Sequence, residues 1–335
     1  MHPTFPNFPL PLLITGLAGV AGYNAFAHFR RLLGDRVIAI RPVNNWPLKG
    51  PGIEACDLED IEGMRRLFEK YEFRSVLSCG GSCALKSCEL DPAMAHRVNV
   101  QGLHSLLAAI EDRPTRLVHL SVDLVYSGEA AGDHLESDVA DPVTVYGQTM
   151  VKGENLLLTE RSAACILRIS LPMGVSFNGH AGAVDWIQSR FQKDKPATLY
   201  FDEIRTPTYV ECLNQVIATV LNNRLAGIYH CGGPRKMSLY EIAQVVNRIG
   251  GYRPELLQGC PRIEAGPMPP RAGNVTMNSA KLLRAIPELT IDPWPLCPAH
   301  VPTHRKWHFE RPANEAGSLK KIQETLYAKP QSRNL

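Results

Sequence analysis

Short runs of apolar residues alternate with amphipathic stretches through the first half of the chain. Leu12-Leu13-Ile14-Thr15, Val37-Ile38-Ala39-Ile40, Ser75–Ser78, Leu117–Ser121 and Ala164–Ile169 have the length and composition of strands covered on both faces. The stretches between them repeat apolar residues at helical spacing: from a glycine turn to about Leu33, then Ile61–Tyr71, Met94–Ala109 and Tyr146–Leu158. A short third strand is expected just before Asp57-Leu58. Strands alternating with helices imply crossover connections, and crossovers imply parallel pairing. The expected class is therefore α/β, a Rossmann-type doubly wound parallel sheet.

After about Pro172 the rhythm breaks, and proline and glycine become more frequent. Gly227–Cys231 reads as a late strand and Ser238–Ile249 as a helix. Ser238 is its expected N-cap, with Glu241 completing a capping box. Gly259–Arg271 reads as a loop. The pattern divides the chain into residues 1–171 and a smaller C-terminal lobe within 172–335. The lobe draws on 172–205 and 232–312, and other segments return to the first domain. The opening residues read as an arm into the first strand, and the end from about Lys329 as frayed.

Composition narrows the classes. With 36 Lys and Arg against 33 Asp and Glu there is no basic surplus of the kind that binds nucleic acid. The cluster His304-Arg305-Lys306 reads as solvated surface. Four prolines, at 3, 6, 9 and 11, interrupt the opening apolar residues, so no signal peptide is read there. No stretch reaches the roughly 18 apolar residues of a membrane span. Nine scattered cysteines, an odd number, suit reduced thiols and a cytoplasmic setting. Cys79, Cys83 and Cys88, with His96 nearby, lack the spacing of a zinc or iron–sulfur site. His300, His304 and His308 recur every four residues, but Pro302 interrupts them, and they read as surface histidines. No metal is expected.

Gly16, Gly19 and Gly22 form G-x-x-G-x-x-G between the first strand and first helix. Glycine permits the tight turn and close approach of the backbone to a diphosphate, while the helix N-terminus offers free N–H groups. The expected cofactor is NADP(H) or NAD(H). Arg41 follows the second strand, where the adenosine ribose is expected, and suits a 2′-phosphate. Asp57 and Leu58 are expected to border the adenine.

Beyond the turn, the chain resembles the dTDP-4-dehydrorhamnose reductase branch of the extended short-chain dehydrogenases, which includes the regulatory beta subunit of methionine adenosyltransferase. The resemblance rests on TGLAGVAG at 15–22, HRVNVQG at 96–102, SVDLVYSG at 121–128, VYGQTMVKGE at 145–154, RTPTYV at 205–210, GIYHCGG at 227–233 and PPRAGNVTMNSAKL at 269–282. It implies a tyrosine that protonates the developing alkoxide and a lysine four residues on that lowers the tyrosine pKa. It also implies an upstream Ser or Thr that donates to the carbonyl oxygen. Tyr146 matches the tyrosine, but Met150 stands at the lysine position and Val122 at the hydroxyl position. Ser121 and Asp123 flank Val122 and complete the candidate catalytic set. Ser121, however, should face the opposite side of its strand. Lys152 lies about 240° around the helix from Tyr146 and cannot simply replace the ammonium. Lys86 is a more remote alternative that reads better as surface.

Losing such groups costs about 10²–10⁴ in rate each. The first reading is an NADP(H)-binding oxidoreductase-like protein related to nucleotide-sugar 4-keto reductases, with Tyr146 working with another cation or a different reaction on a retained nicotinamide. The alternative is a cofactor-binding regulatory or interaction subunit. On the substrate side, Arg205 and Arg271 match family segments near the cleft. Each could pair with the diphosphate of a nucleotide sugar or bridge the two lobes. The resemblance implies a small-molecule substrate and leaves open a homodimer or a regulatory partner protein. No nucleic acid or membrane partner is expected.

Overall fold

The computed structural model describes residues 8–111, 113–179, 182–311 and 317–330. Residues 1–7 of the expected arm and 331–335 of the expected frayed end lie outside them. Seven strands make one parallel sheet: β1 (Leu12–Ile14), β2 (Val37–Arg41), β3 (Ile53–Ala55), β4 (Ser75–Ser78), β5 (Arg116–Val122), β6 (Cys165–Ile169) and β7 (Gly227–Cys231). Their spatial order is 3-2-1-4-5-6-7, with Leu12 registered on Val37 at one side and on Ser75 at the other. The chain therefore winds outward in both directions from β1 and β4. The crevice at that switch point is where such sheets take ligands.

Successive strand residues point to opposite faces, and both faces are covered, which is why the strands read as unbroken apolar runs. Leu12, Ile14 and Leu77 join one core, with Phe29 of α1 (Val20–Leu33). Leu13 and Val76 join the other, with Phe68 of α2 (Ile61–Tyr71). Helix α2 starts where the Asp60 carboxylate accepts from the Gly63 N–H at 2.9 Å, and ends at Glu72 in a left-handed conformation (φ 51°).

Three sequence expectations need correction. The helix expected over Met94–Ala109 is interrupted. After α3 (Leu85–Leu90), α4 (Pro92–His96) passes through a π turn at Arg97–Gln101 into α5 (Gly102–Ile110). The extra residue in that turn directs Asn99 inward, where it accepts from the Ser82 N–H at 2.6 Å and donates to Thr149 of α6 (Val145–Glu160) at 2.8 Å. The loop expected from Gly259 begins later, because Leu257–Cys260 pairs in parallel with Ala197–Tyr200. His308 is fully buried beside Gln244 rather than on the surface, while His304 is exposed and meets Glu310.

The lobe carries α7 (Ala183–Gln192), while α8 (Val210–Asn222) returns to pack on α1 and β5. The helix α9 (Leu239–Gly250) opens with the expected reciprocal Ser238–Glu241 capping box. No helix among the described residues is long and apolar enough to cross a membrane.

Burial pushes the pKa of His119, His230 and His308 down to about 4. Each is neutral in the fold yet takes up a proton in the unfolded chain below about 6.5. The stability they contribute is complete above pH 6.5 and is lost as pH falls toward 4, at up to about 3 kcal/mol each. Melting temperature should be flat from pH 8 to 7 and fall steeply from 6.5 to 4.5. A flat profile across that lower range would contradict the burial of these rings as neutral groups.

Candidate dinucleotide and substrate site

The turn after β1 is shaped by contacts that only glycine tolerates. Gly16 has φ +70°, and a Cβ there would lie 2.3 Å from the Cys79 carbonyl oxygen. A Cβ on Gly22 would lie 2.4 Å from the Gly16 oxygen. Thr15 fastens the turn to β4, its hydroxyl accepting from the Cys79 and Gly80 N–H groups at 3.1 and 3.0 Å. Gly19 caps α1 without a side-chain bond, and no acidic residue occupies the first turn. The helix thus presents its N–H groups and the positive end of its dipole outward, as an anion requires.

Beside the turn lies a cavity of about 290 Å³, bounded by Gly19–Gly22, the ends of β4, β5 and β6, Tyr146 and the start of α7. Its walls are chiefly apolar, among them Leu85, Val122, Leu124 and Pro172. Arg41, at the end of β2, donates to the Pro42 and Val43 carbonyls at 2.8 and 2.9 Å. Asp57 accepts from the Val43 N–H at 2.9 Å, and Leu58 lies against Gly80 and Gly102. None of the three lines the cavity, which stops at Gly19–Gly22 on this side.

Tyr146 sits in the first turn of α6, which Thr144 caps by accepting from the Gly147 N–H at 3.0 Å. The tyrosine is buried in the cavity wall, and burial raises its phenol pKa well above 10. Cys83, Asp123 and Cys88 raise it further, and Arg205 opposes them. Met150 is buried in the same cluster as Tyr146, while Lys86 and Lys152 are exposed.

The flanking candidates line the same cavity, yet their side chains are engaged in buried polar pairs. Ser121 donates to Glu154, which forms a buried pair with Arg168 at 2.6 Å. Asp123 is fully buried and binds the Arg205 guanidinium through two hydrogen bonds, one at 2.6 Å from Nε. It also accepts from Ser170. Glu203 approaches Arg205 at 3.7 Å and Arg271 at 3.8 Å. Arg271 in turn lies over the Tyr200 ring, 4.8 Å from its centroid.

Arg205 and Asp123, read from the sequence as substrate and catalytic residues, are thus brought together as an ion pair. Arg271 is drawn into the same cluster but does not line the cavity. Sequence reasoning missed the Glu154–Arg168 pair behind β5, whose partners come from different elements. Cys79 and Cys83, weighed in the sequence only for metal spacing, both line the cavity. All nine cysteines are free. Among the described residues no three His, Cys, Asp or Glu side chains are grouped to hold a metal ion.

Comparison with known proteins identifies the family and the fold. The family model for the RmlD substrate binding domain matches residues 11–295. The chain is 25% identical over 265 residues to the dTDP-4-keto-6-deoxy-D-glucose reductase of Streptomyces niveus, covering 77% of this chain and 86% of that one. It is 25% identical over 244 residues to the methionine adenosyltransferase 2 subunit beta of Xenopus laevis, covering 69% of each. Among solved structures, the dTDP-4-dehydrorhamnose reductase of Bacillus anthracis in complex with NADP superposes with a TM-score of 0.72 at 19% identity. That match covers 84% of this chain and 95% of that one.

Proposed function

From a chain that belongs to the RmlD substrate binding domain family, we infer a protein that binds NADP(H), or NAD(H), and serves as a regulatory or interaction subunit rather than reducing a nucleotide sugar. The residues fit the dinucleotide. The space a Cβ would need at Gly16 and Gly22 is taken by the Cys79 and Gly16 backbone, so only glycine lets the turn close this tightly, and the uncapped start of α1 faces the cavity. When bound, the cofactor would bring a transferable hydride. Arg41, beside the expected ribose, favours the 2′-phosphate of NADP(H).

The observation that carries this reading is the setting of Tyr146. A proton donor of this type works when a neighbouring ammonium lowers its pKa toward neutrality. Here Met150 occupies that position, burial pushes the phenol upward, and Arg205, which opposes it, is already paired with Asp123. Val122 offers no donor to a carbonyl oxygen. A second reading, hydride transfer with a different proton donor, draws support from the open cavity at Tyr146.

Calorimetry followed by a hydride-transfer assay separates the two. The protein should bind NADPH more tightly than NADH, and Arg41→Ala should remove most of that preference. No turnover of 4-keto-6-deoxy sugar nucleotides is expected, whereas Met150→Lys with Val122→Thr should give measurable oxidation of NADPH. Turnover by the unmodified protein at a rate comparable to the double variant would overturn the regulatory reading. Absence of any dinucleotide binding would remove both readings.

A further inference from the structure

A second cavity, of about 590 Å³, lies along the outer flank of α1 and shares no lining residue with the dinucleotide cavity. Its floor is apolar and largely aromatic: Leu17, Tyr23, Phe26, Ile53 and Phe177, with the Tyr23 and Phe177 rings 6.5 Å apart. Its rim is cationic: Arg30, Arg31 and Lys49. We propose that this groove is a binding site for an amphipathic anion, a flat apolar body carrying one carboxylate, sulfonate or phosphate head.

Three observations support the assignment. The volume falls in the range of small-molecule sites, which combine apolar walls with a few polar groups that orient the ligand. Arg30 is held in place, donating to the Gly34 and Val37 carbonyls at 3.1 and 3.0 Å. It packs where a Cβ on Gly52 would come within 2.8 Å of its Nη1. Its one acidic partner, Asp35, is almost entirely solvent-exposed and neutralises only part of the rim. Arg31 and Lys49 are exposed and make no ion pair among the described residues. An apolar floor beneath a surplus of cations is complementary to a ligand with an apolar body and an anionic head. Trp46, 71% exposed and adjacent to the groove residue Pro47, provides a built-in reporter.

The test uses the full chain and the dye 1-anilinonaphthalene-8-sulfonate, with neutral N-phenyl-1-naphthylamine as the uncharged analogue. One sulfonate dye should bind per chain with energy transfer from tryptophan, and Trp46→Phe should remove most of that transfer. Arg31→Glu combined with Lys49→Glu should weaken the sulfonate dye at least about tenfold and leave the neutral dye unaffected. On the unmodified protein, raising salt from about 50 to 500 mM should weaken the sulfonate dye alone, which gives a reading independent of the variant. Saturating NADPH should leave the stoichiometry unchanged. Equal sulfonate affinity in the charge-reversed variant, complete displacement by NADPH, or binding that appears only after deletion of residues 1–7 would each overturn the proposal. The last result would mean that the chain's own arm fills the groove. These outcomes are read whether or not the dinucleotide assignment holds.

Discussion

Gly19→Ala is expected to weaken NADPH binding about a hundredfold, some 2.7 kcal/mol, with a melting temperature within about 2 °C of the parent. The three turn glycines differ in what a methyl group would meet. At Gly16 and Gly22 it would strike backbone at 2.3 and 2.4 Å, so those substitutions distort the fold itself. At Gly19 the nearest atom is the Gly16 oxygen at 3.5 Å, an ordinary contact, and φ is −85°. The free protein should therefore accept alanine there at the small cost of a poorer helix cap. Gly19 nevertheless lines the cavity at the head of α1, where the backbone must approach the diphosphate. Binding should be lost while folding is kept, and calorimetry alongside a thermal melt reads both. Parent-like affinity would place the diphosphate elsewhere.

Much of this architecture is legible in the sequence because it is local. β4, β7 and α2 coincide with their expected ranges, since each is bounded by clear changes of pattern and filled by residues of one period. The capping box at Ser238 needs only two residues three apart. The Leu257–Cys260 strand was hidden for the converse reason. It is four residues long, contains Gly259, and gains its order from Ala197–Tyr200, about sixty positions earlier. The π turn at Arg97–Gln101 escaped because one inserted residue leaves an amphipathic pattern nearly unchanged. His308 escaped because a single 3₁₀ turn has no period to read.

The site divides along the same line. The sequence sets Met150 and Val122 where the family resemblance implies a lysine and a hydroxyl. Strand alternation would turn Ser121 away, whereas Ser121 is among the residues lining the cavity. What occupies the remaining charged groups is not local. Asp123 and Arg205 are 82 positions apart, and nothing in either neighbourhood indicates that one neutralises the other. The apolar character of the cavity is likewise a tertiary property, assembled from strand ends and from residues as distant as Leu85 and Pro172. Motif reading thus offers candidate positions but not the electrostatic state in which the fold holds them.

That electrostatic state leads to the second large effect. Arg168→Met should cost about 3–5 kcal/mol, roughly 10 °C in melting temperature, with dinucleotide affinity unchanged. Arg168 donates to Glu154 through Nε at 2.9 Å and Nη2 at 2.6 Å, and to the Tyr126 hydroxyl at 2.6 Å. Tyr126 also meets His230 Nε2 at 2.9 Å. Removing the guanidinium leaves a carboxylate almost wholly buried with the Ser121 hydroxyl as its remaining side-chain partner, and desolvation of that charge is then uncompensated. Glu154→Gln in the same chain should recover at least half the loss, because the unpaired charge is gone. The network lies behind β5, and neither Arg168 nor Glu154 lines the dinucleotide cavity, so binding should not follow stability. A single Arg168→Met variant melting within about 2 °C of the parent would show that the pair is solvated or dispensable.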